Sequence, residues 1–243
     1  MINSSNQTAR EAILKSIRAH LGVGDSFEPR INLRGLPVVN AVVHAQTSEN
    51  GAAAQSLSKV DVFKKQLEAV NGHCFIAHTE LQIVHALTQI ITELKGTELN
   101  PKRVAVSDAS GLERLVRLVA VEVEEVTVTP SPADLFGFDI GITTAQAAIA
   151  ETGTLVLDSS RERHRLISLV PPVHIAIVDA ANIYSTLAET LSVLHRTGNV
   201  SPIVTFVTGP SRTADIELTL TIGVHGPQEL YVIVNEGQPL VVS

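Results

Sequence analysis

The chain has 243 residues, which is enough for one large domain or two small ones. Hydrophobic residues make up 44% of it and aromatic residues 3%. An aliphatic core of this kind is typical of a buried parallel β-sheet. The net charge of −7 argues against nucleic acid or an anionic membrane surface as a general partner. The single cysteine, Cys74, excludes an internal disulfide and a four-cysteine iron–sulfur cluster held by this chain alone.

The N-terminal part of the chain differs from the rest. Residues 8–21 place apolar side chains at helical spacing and predict a helix, which Gly22 ends. Residues 25–54 show no period and predict an extended arm. We therefore divide the chain into an N-terminal helix and arm, residues 1–54, and an α/β domain, residues 55–243. The sequence has no apolar run long enough to cross a membrane and no apolar signal-peptide core, which predicts a cytoplasmic protein.

Strand and helix patterns alternate through the second part. We predict helices at residues 56–70, 79–94 (with Thr79 as N-cap), 110–119 and 183–194, and a basic helical turn at 161–169. We predict strands at residues 73–77, 102–107, 121–129, 154–157, 174–179, 203–208 and 230–234, the last closing the sheet. This alternation predicts a mainly parallel sheet with helices on both faces, joined by right-handed crossovers.

Residues 214–222 fit two interpretations. Apolar residues alternate strictly with polar ones, which is the pattern of a strand. Two parallel strands on either side, however, need a connection of about a dozen residues, usually a helix. We therefore predict a helix here.

A run of small residues, 145–150, lies in the middle of the chain and predicts an Ala-rich helix. Thr143 and Thr144 precede it and are candidate ligand-binding residues. The small side chains of the run would leave room for a ligand and a desolvated site beside Glu151.

The run is broken by Glu151, Thr152 and Gly153. A carboxylate at this place can serve as a general base or as a nucleophile, which makes Glu151 the candidate catalytic residue. The alternative is a structural cap bonded to local backbone. Thr152 and Gly153 are counted with the candidate ligand-binding residues.

A second candidate site follows the predicted strand 203–208. Ser211, Arg212 and Thr213 would open the helix predicted after it, where exposed backbone N–H groups bind anions and Arg212 could clamp a carboxylate or phosphate. The alternative is a capped helix with Arg212 paired to a neighbouring acid. His225 and Gly226 form a tight turn before the last strand; His225 could orient a substrate, or simply bond to backbone. The sequence contains no recognisable metal, dinucleotide or P-loop motif, so we expect no metal site.

Three long segments resemble the lactate utilisation protein C family, whose members carry a LUD domain. They read GITTAQAAIAETGTLVL, RLISLVPPVHIAIVD and GPSRTADIELTLTIGVHGPQELYVIV, and together they cover about residues 139–234. The resemblance implies a fold similar to the sugar-phosphate isomerase and CoA-transferase superfold. It also implies a role in oxidising L-lactate to pyruvate in bacteria, beside iron–sulfur oxidoreductase partner subunits. This chain would then hold no cofactor, and the clusters would lie in the partners.

The same resemblance leaves two classes of function open. In CoA-transferases of this superfold, a glutamate in a Glu-Asn-Gly motif attacks an acyl-CoA, and Glu151-Thr152-Gly153 looks similar with Thr152 in place of Asn. The alternative function is therefore an acyl- or CoA-transferase-like enzyme that uses Glu151 on a small carboxylate. We expect instead an accessory subunit of the lactate-oxidation complex, with a possible small carboxylate ligand near Arg212.

Overall fold

The computed structural model describes residues 57–159, 165–196, 203–214, 220–222 and 226–240. The helix and arm predicted within residues 1–54 lie outside the described residues, as does His225.

In the described part of the chain, α-helices and strands alternate as expected up to residue 128, whereas strands follow one another beyond it and the α-helix at residues 187–196 is the only one described there. The helices are α1 (Lys59–Ala69), α2 (Glu80–Lys95), α3 (Leu112–Leu118) and α4 (Leu187–Arg196). The strands are β1 (His73–Ala77), β2 (Arg103–Val106), β3 (Glu125–Val128), β4 (Ile140–Ala145), β5 (Ala147–Ile149), β6 (Thr154–Asp158), β7 (Val173–Asp179), β8 (Ile183–Tyr184), β9 (Val204–Val207), β10 (Arg212–Ala214), β11 (Leu220–Ile222) and β12 (Glu229–Asn235).

The first two helices begin at polar caps that the sequence encodes. The Ser58 hydroxyl accepts the backbone N–H of Asp61, and the Asp61 carboxylate accepts the N–H of Ser58, which is a capping box. Thr79 caps α2 by accepting the N–H of Gln82, as predicted.

A six-stranded parallel sheet forms the centre of the fold, in the order β1-β12-β7-β4-β2-β3. The prediction of a mainly parallel α/β fold is confirmed. The last strand, β12, does not close the sheet at an edge; it lies between β1 and β7. Residues on β12 therefore make ladder contacts on both sides, which agrees with its unbroken apolar sequence.

A second sheet of four strands, ordered β8-β5-β6-β9, packs beside the first. Its middle strands are antiparallel, with Ala148 opposite Leu155. The prediction of an Ala-rich helix at residues 145–150 is wrong, because this segment completes β4 and forms β5. The physical reason is strand pairing and packing: residues 147–149 pair with β6 and β8, and Ala148 is fully buried in one cluster with Ala176 of β7. Tertiary contacts outweigh the helix preference of alanine.

Strands β10 and β11 form an antiparallel hairpin, with Arg212 opposite Ile222 and Ala214 opposite Leu220. The prediction of a helix at residues 214–222 is therefore wrong at both ends of the segment, and the strand pattern was the correct indication. The crossover argument failed because β9 does not belong to the parallel sheet; it pairs antiparallel with β6 in the second sheet. No helical crossover is needed between strands of different sheets.

Two other elements divide differently from the prediction. Residues 183–194 were expected to be one helix, but β8 comes first and α4 begins only at Leu187. Residues 121–129 were expected to be one strand, but a 3-10 helix, Ala120–Glu122, precedes β3. In both segments the apolar spacing in the sequence is uniform, but the chain turns within it, at residues 185–186 and at residues 120–122.

Helices cover both faces of the parallel sheet, as predicted. On one face, α2 and α3 bury Val173, Ile175 and Ile177 of β7 in a large aliphatic cluster. On the other face, Ala176 and Val178 of β7 meet α1 and the inner side of the second sheet. The outer side of the second sheet packs against α4. None of the helices in the described part of the chain has the length and apolar character needed to cross a bilayer.

Candidate functional site

A cavity of about 370 Å³ lies where β4 and β7 end. Ligands in open α/β sheets bind at the carboxyl ends of the strands, and volumes of this size hold small molecules. The residues that line it come from both sheets, from α4 and from the segments after β2 and β12: Ala109, Ser110, Thr144, Ala145, Gln146, Ala147, Asp158, Ile177, Asp179, Ala181, Asn182, Tyr184, Val193, Leu194, Pro239 and Leu240. We call this space the carboxyl-edge cavity. It is the candidate functional site.

The side chain of Gln146 joins the two sheets at this cavity. Its Nε2 donates to the backbone oxygen and to the hydroxyl of Thr144, both at 3.3 Å. Its Oε1 accepts the backbone N–H of Asp158 at 2.6 Å. Because β4 and β6 are held together through one amide, the polar groups on this side of the cavity have a fixed geometry.

The opposite side of the cavity is organised by Asn235 at the end of β12. Its Nδ2 donates to Oδ1 of Asp179 at 2.7 Å and to the backbone oxygen of Gln238 at 2.8 Å. Its Oδ1 accepts the N–H of Gly237 at 3.0 Å. Asn235 thus fixes the Asp179 carboxylate and the chain that leads to Pro239 and Leu240.

Sequence reasoning placed Thr144 at a ligand site, and the structure puts it in this cavity. It missed Asp158, Asp179, Asn182 and Tyr184. A usable indication existed for Asp179, which directly follows the buried run HIAIV and so stands at a strand's carboxyl end. The sequence indication for Asp158 was weaker and consisted only of its position at the end of a strand, β6.

Thr143 faces away from this cavity, towards the second sheet. Its hydroxyl lies 2.8 Å from Nε2 of His174, and His174 is fully buried. Nδ1 of His174 has no hydrogen-bond partner within the described residues. Burial lowers the pKa of His174 to about 3, because the charged imidazolium would lose its hydration. His174 is thus a neutral core residue at physiological pH.

The burial of His174 predicts a loss of stability in acid. An unfolded chain binds a proton at this side chain below a pH of about 6.5, whereas the folded chain stays unprotonated until the pH approaches its lowered pKa. The free energy of unfolding should therefore decrease as the pH falls between these values, and this contribution is absent above them. Urea denaturation from pH 7 to pH 4 should show a slope about one proton steeper for the natural chain than for His174→Leu. Equal slopes would contradict this assignment.

Glu151 lies in an exposed turn between β5 and β6, not in a desolvated site. Its Oε1 accepts the backbone N–H of Leu187, the first residue of α4, at 2.8 Å. This contact is of the capping kind, although the helix it caps lies 36 residues further along the chain. Beside it, the Thr152 hydroxyl lies 2.7 Å from that of Thr154, and Gly153 packs against α1.

A Glu151→Gln variant tests the capping role. Glutamine keeps an oxygen that can accept the N–H of Leu187 and loses only the favourable charge at the start of α4. We expect the free energy of unfolding to fall by about 0.3–1 kcal/mol at low salt. Glu98→Gln, at an exposed carboxylate, is the control and should leave the free energy of unfolding unchanged. An unchanged free energy of unfolding for Glu151→Gln would contradict the capping role.

The predicted anion site at residues 211–213 is not at a helix start, because Arg212 begins strand β10. Nη2 of Arg212 donates to the backbone oxygen of Val70 at 2.8 Å, and Arg212 lines a more open groove of about 610 Å³ beside β1. Ser211 donates its N–H to Pro227 at 2.8 Å and contacts Gly226. Both line a smaller space of about 230 Å³ next to His174.

The residues proposed from sequence therefore do not form one site. Thr144 lies at the carboxyl-edge cavity, Glu151 caps a helix, Arg212 lies in the groove by β1, and Ser211 lines the space near His174. We prefer the carboxyl-edge cavity to the larger groove, because it lies at the end of the sheet where α/β proteins bind ligands. Within the described residues, no group of three or more His, Cys, Asp and Glu side chains is placed to hold a metal ion.

The fold and the cavity define an α/β protein with a parallel sheet and a second, mixed sheet packed against one of its faces. A family model described as LUD domain matches residues 60–234. The chain belongs to the LUD domain family.

Several relatives align with this chain. A protein named Lactate utilization protein C from an Exiguobacterium species is 46% identical over 103 residues, which is 40% of this chain and 45% of that one. One of the same name from a Geobacillus species is 29% identical over 188 residues, 70% of this chain and 78% of that one. An uncharacterized protein of Neisseria meningitidis is 44% identical over 96 residues, 39% of this chain and 41% of that one. For most of these relatives, the chain spans less than half of their length.

A solved structure shares the fold. The crystal structure of a DUF162 family protein from Deinococcus radiodurans superposes with a TM-score of 0.52 at 25% sequence identity. The match covers 74% of this chain and 99% of that one.

Proposed function

We propose that this chain is an accessory component of a bacterial L-lactate utilisation system that oxidises L-lactate to pyruvate with iron–sulfur partner subunits. The observation that supports the role is the alignment with proteins named Lactate utilization protein C, one of them over 70% of this chain. We assign the iron–sulfur clusters to the partner subunits because this chain has one cysteine, Cys74, and cannot offer the four thiolates that a cluster normally takes. Electrons would therefore pass through the partners.

Cys74 itself is poorly suited to ligate a metal or to attack a substrate. Burial raises the pKa of its thiol to about 12, because the thiolate would lose its hydration. The reactive form is then scarce at neutral pH. This argues against a nucleophilic or metal-binding role for Cys74.

The alternative proposal is an acyl- or CoA-transferase-like enzyme that uses Glu151 on a small carboxylate. In the structure Oε1 of Glu151 accepts the N–H of Leu187, so Oε2 would be the atom that acts on a substrate. A small carboxylate near Arg212 belongs to the same alternative. One N–H of that guanidinium donates to the Val70 oxygen, and the others could bind the carboxylate.

Growth of a deletion strain tests the proposed role. A lactate-growing host without this gene should grow on succinate but fail on L-lactate, and a plasmid copy of the gene should restore growth. Normal growth of the deletion strain on L-lactate would overturn the proposal. Purification of the tagged chain from lactate-grown cells tests the partnership. Copurifying proteins should carry iron and acid-labile sulfide and should reduce a dye with L-lactate, whereas the chain alone should not.

A further inference from the structure

We propose that the carboxyl-edge cavity binds an uncharged or cationic ligand of about nucleoside size, with hydroxyl or amine donors beside a flat apolar part, and that it does not bind lactate. This inference concerns the cavity alone. It holds or fails independently of the role in lactate utilisation.

The charge of the described lining residues disfavours a small anion. Among them Asp158 and Asp179 are charged, and no described lysine, arginine or histidine lines the cavity. A bound carboxylate such as lactate or pyruvate would be repelled by Asp179 and would find no cation among the described lining residues to pair with.

Hydrogen-bonding groups along the wall favour a ligand that donates. Oδ1 of Asp179 accepts from Asn235, and its second oxygen has no partner among the described residues. The side-chain amide of Asn182 forms no hydrogen bond to a described residue either, although Asn182 is half-buried. An ionised carboxylate only accepts hydrogen bonds, so hydroxyl or amine groups complement it. A pair of vicinal hydroxyls or an amine meets this requirement.

The rest of the wall is apolar and fits a ring. Ile177, Val193, Leu194, Pro239 and Leu240 supply aliphatic surface, and Tyr184 adds an aromatic ring. Ala145, Ala147 and Ala181 keep the space open by their small size. The cavity of about 370 Å³ thus has a polar end, at Asp179 and Asn182, next to an apolar region. It fits a molecule that has a flat apolar ring at one end and hydroxyl groups at the other.

Calorimetric titration of the full chain tests the proposal, with adenosine as the probe and L-lactate and pyruvate as comparisons. We expect saturable binding of adenosine and no heat from the two acids beyond dilution. Asp179→Asn and Asn182→Ala should each weaken adenosine binding by tenfold or more. The matched control is Asp134→Asn, which changes an exposed aspartate that bonds to Ser131 and does not line the cavity. It should bind adenosine like the natural chain.

The opposite results would overturn the proposal. Failure of adenosine to bind would do so, and so would saturable binding of lactate or pyruvate that the Asn182→Ala variant weakens. Equal affinity for adenosine in the Asp179, Asn182 and Asp134 variants would place binding elsewhere and reject this cavity. Circular dichroism of each variant checks that the fold is retained. Asn182 is the safer position, since removing its side chain breaks no hydrogen bond between described residues.

Discussion

Replacing Phe63 by alanine is expected to lower the free energy of unfolding by about 3–5 kcal/mol, the range for large aromatic side chains removed from a core. Phe63 is fully buried on α1, in the cluster that joins this helix to both sheets. Its removal would leave a void between three layers, which rigid strands cannot close. Urea denaturation followed by far-UV circular dichroism measures the change, since the chain has no tryptophan.

The control for Phe63 is Lys65→Ala, two residues further along the same helix and exposed to water. Surface substitutions of this kind stay within about 0.5 kcal/mol. A loss below about 1 kcal/mol for Phe63→Ala would mean that α1 does not pack between the sheets as described.

Gly153→Ala is expected to lower the free energy of unfolding by about 2–5 kcal/mol, from two effects that add. Gly153 has φ of +63°, in the left-handed region where a side chain costs about 1–2 kcal/mol. A Cβ atom there would also lie 2.7 Å from the backbone carbon of Gln66, inside α1. Overpacking against backbone adds about 1–3 kcal/mol because a helix cannot yield as a flexible side chain can. The melting temperature and the urea midpoint should both fall.

Gly96→Ala is the matched control for Gly153. Gly96 follows α2 with a negative φ of −80°, and an added Cβ would meet the Glu93 oxygen only at an ordinary 3.4 Å. We expect a change of less than about 1 kcal/mol there. If both variants lost the same amount, the close contact between the β5–β6 turn and α1 would be refuted. The glycine counted as a ligand residue thus has a packing role: it lets that turn touch the helix.

The elements that sequence predicts well are those whose pattern is local. β1 was predicted with its observed bounds, and α2 with its N-cap, because apolar spacing and a polar cap depend on neighbouring residues only. The segments at 145–150 and 214–222 were assigned wrongly, because their conformation depends on which sheet the flanking strands join. An alanine run is a good helix former by itself, and here it forms a strand because it pairs with β6 and β8 in the second sheet.

The candidate site was harder to predict than the fold. Thr144 was found, but Asp158 and Asp179 lie 21 residues apart in sequence and meet only because β6 and β7 belong to different sheets that end side by side. Local sequence patterns do not predict that Asp158 and Asp179 line the same cavity. Glu151 attracted attention as a charge between apolar segments, yet its partner, the N–H of Leu187, is far along the chain.

The interior position of β12 has a consequence for the synthesis of the protein. Among the described strands, β1 pairs with β12 alone, so His73–Ala77 finds this ladder partner only when Tyr231–Asn235 has been made. Most of the chain therefore leaves the ribosome before the central sheet can be completed. Until then β1 and one side of β7 offer unpaired backbone to other chains. We therefore expect the yield of folded protein to depend on protection of the nascent chain as well as on the stability of the finished fold.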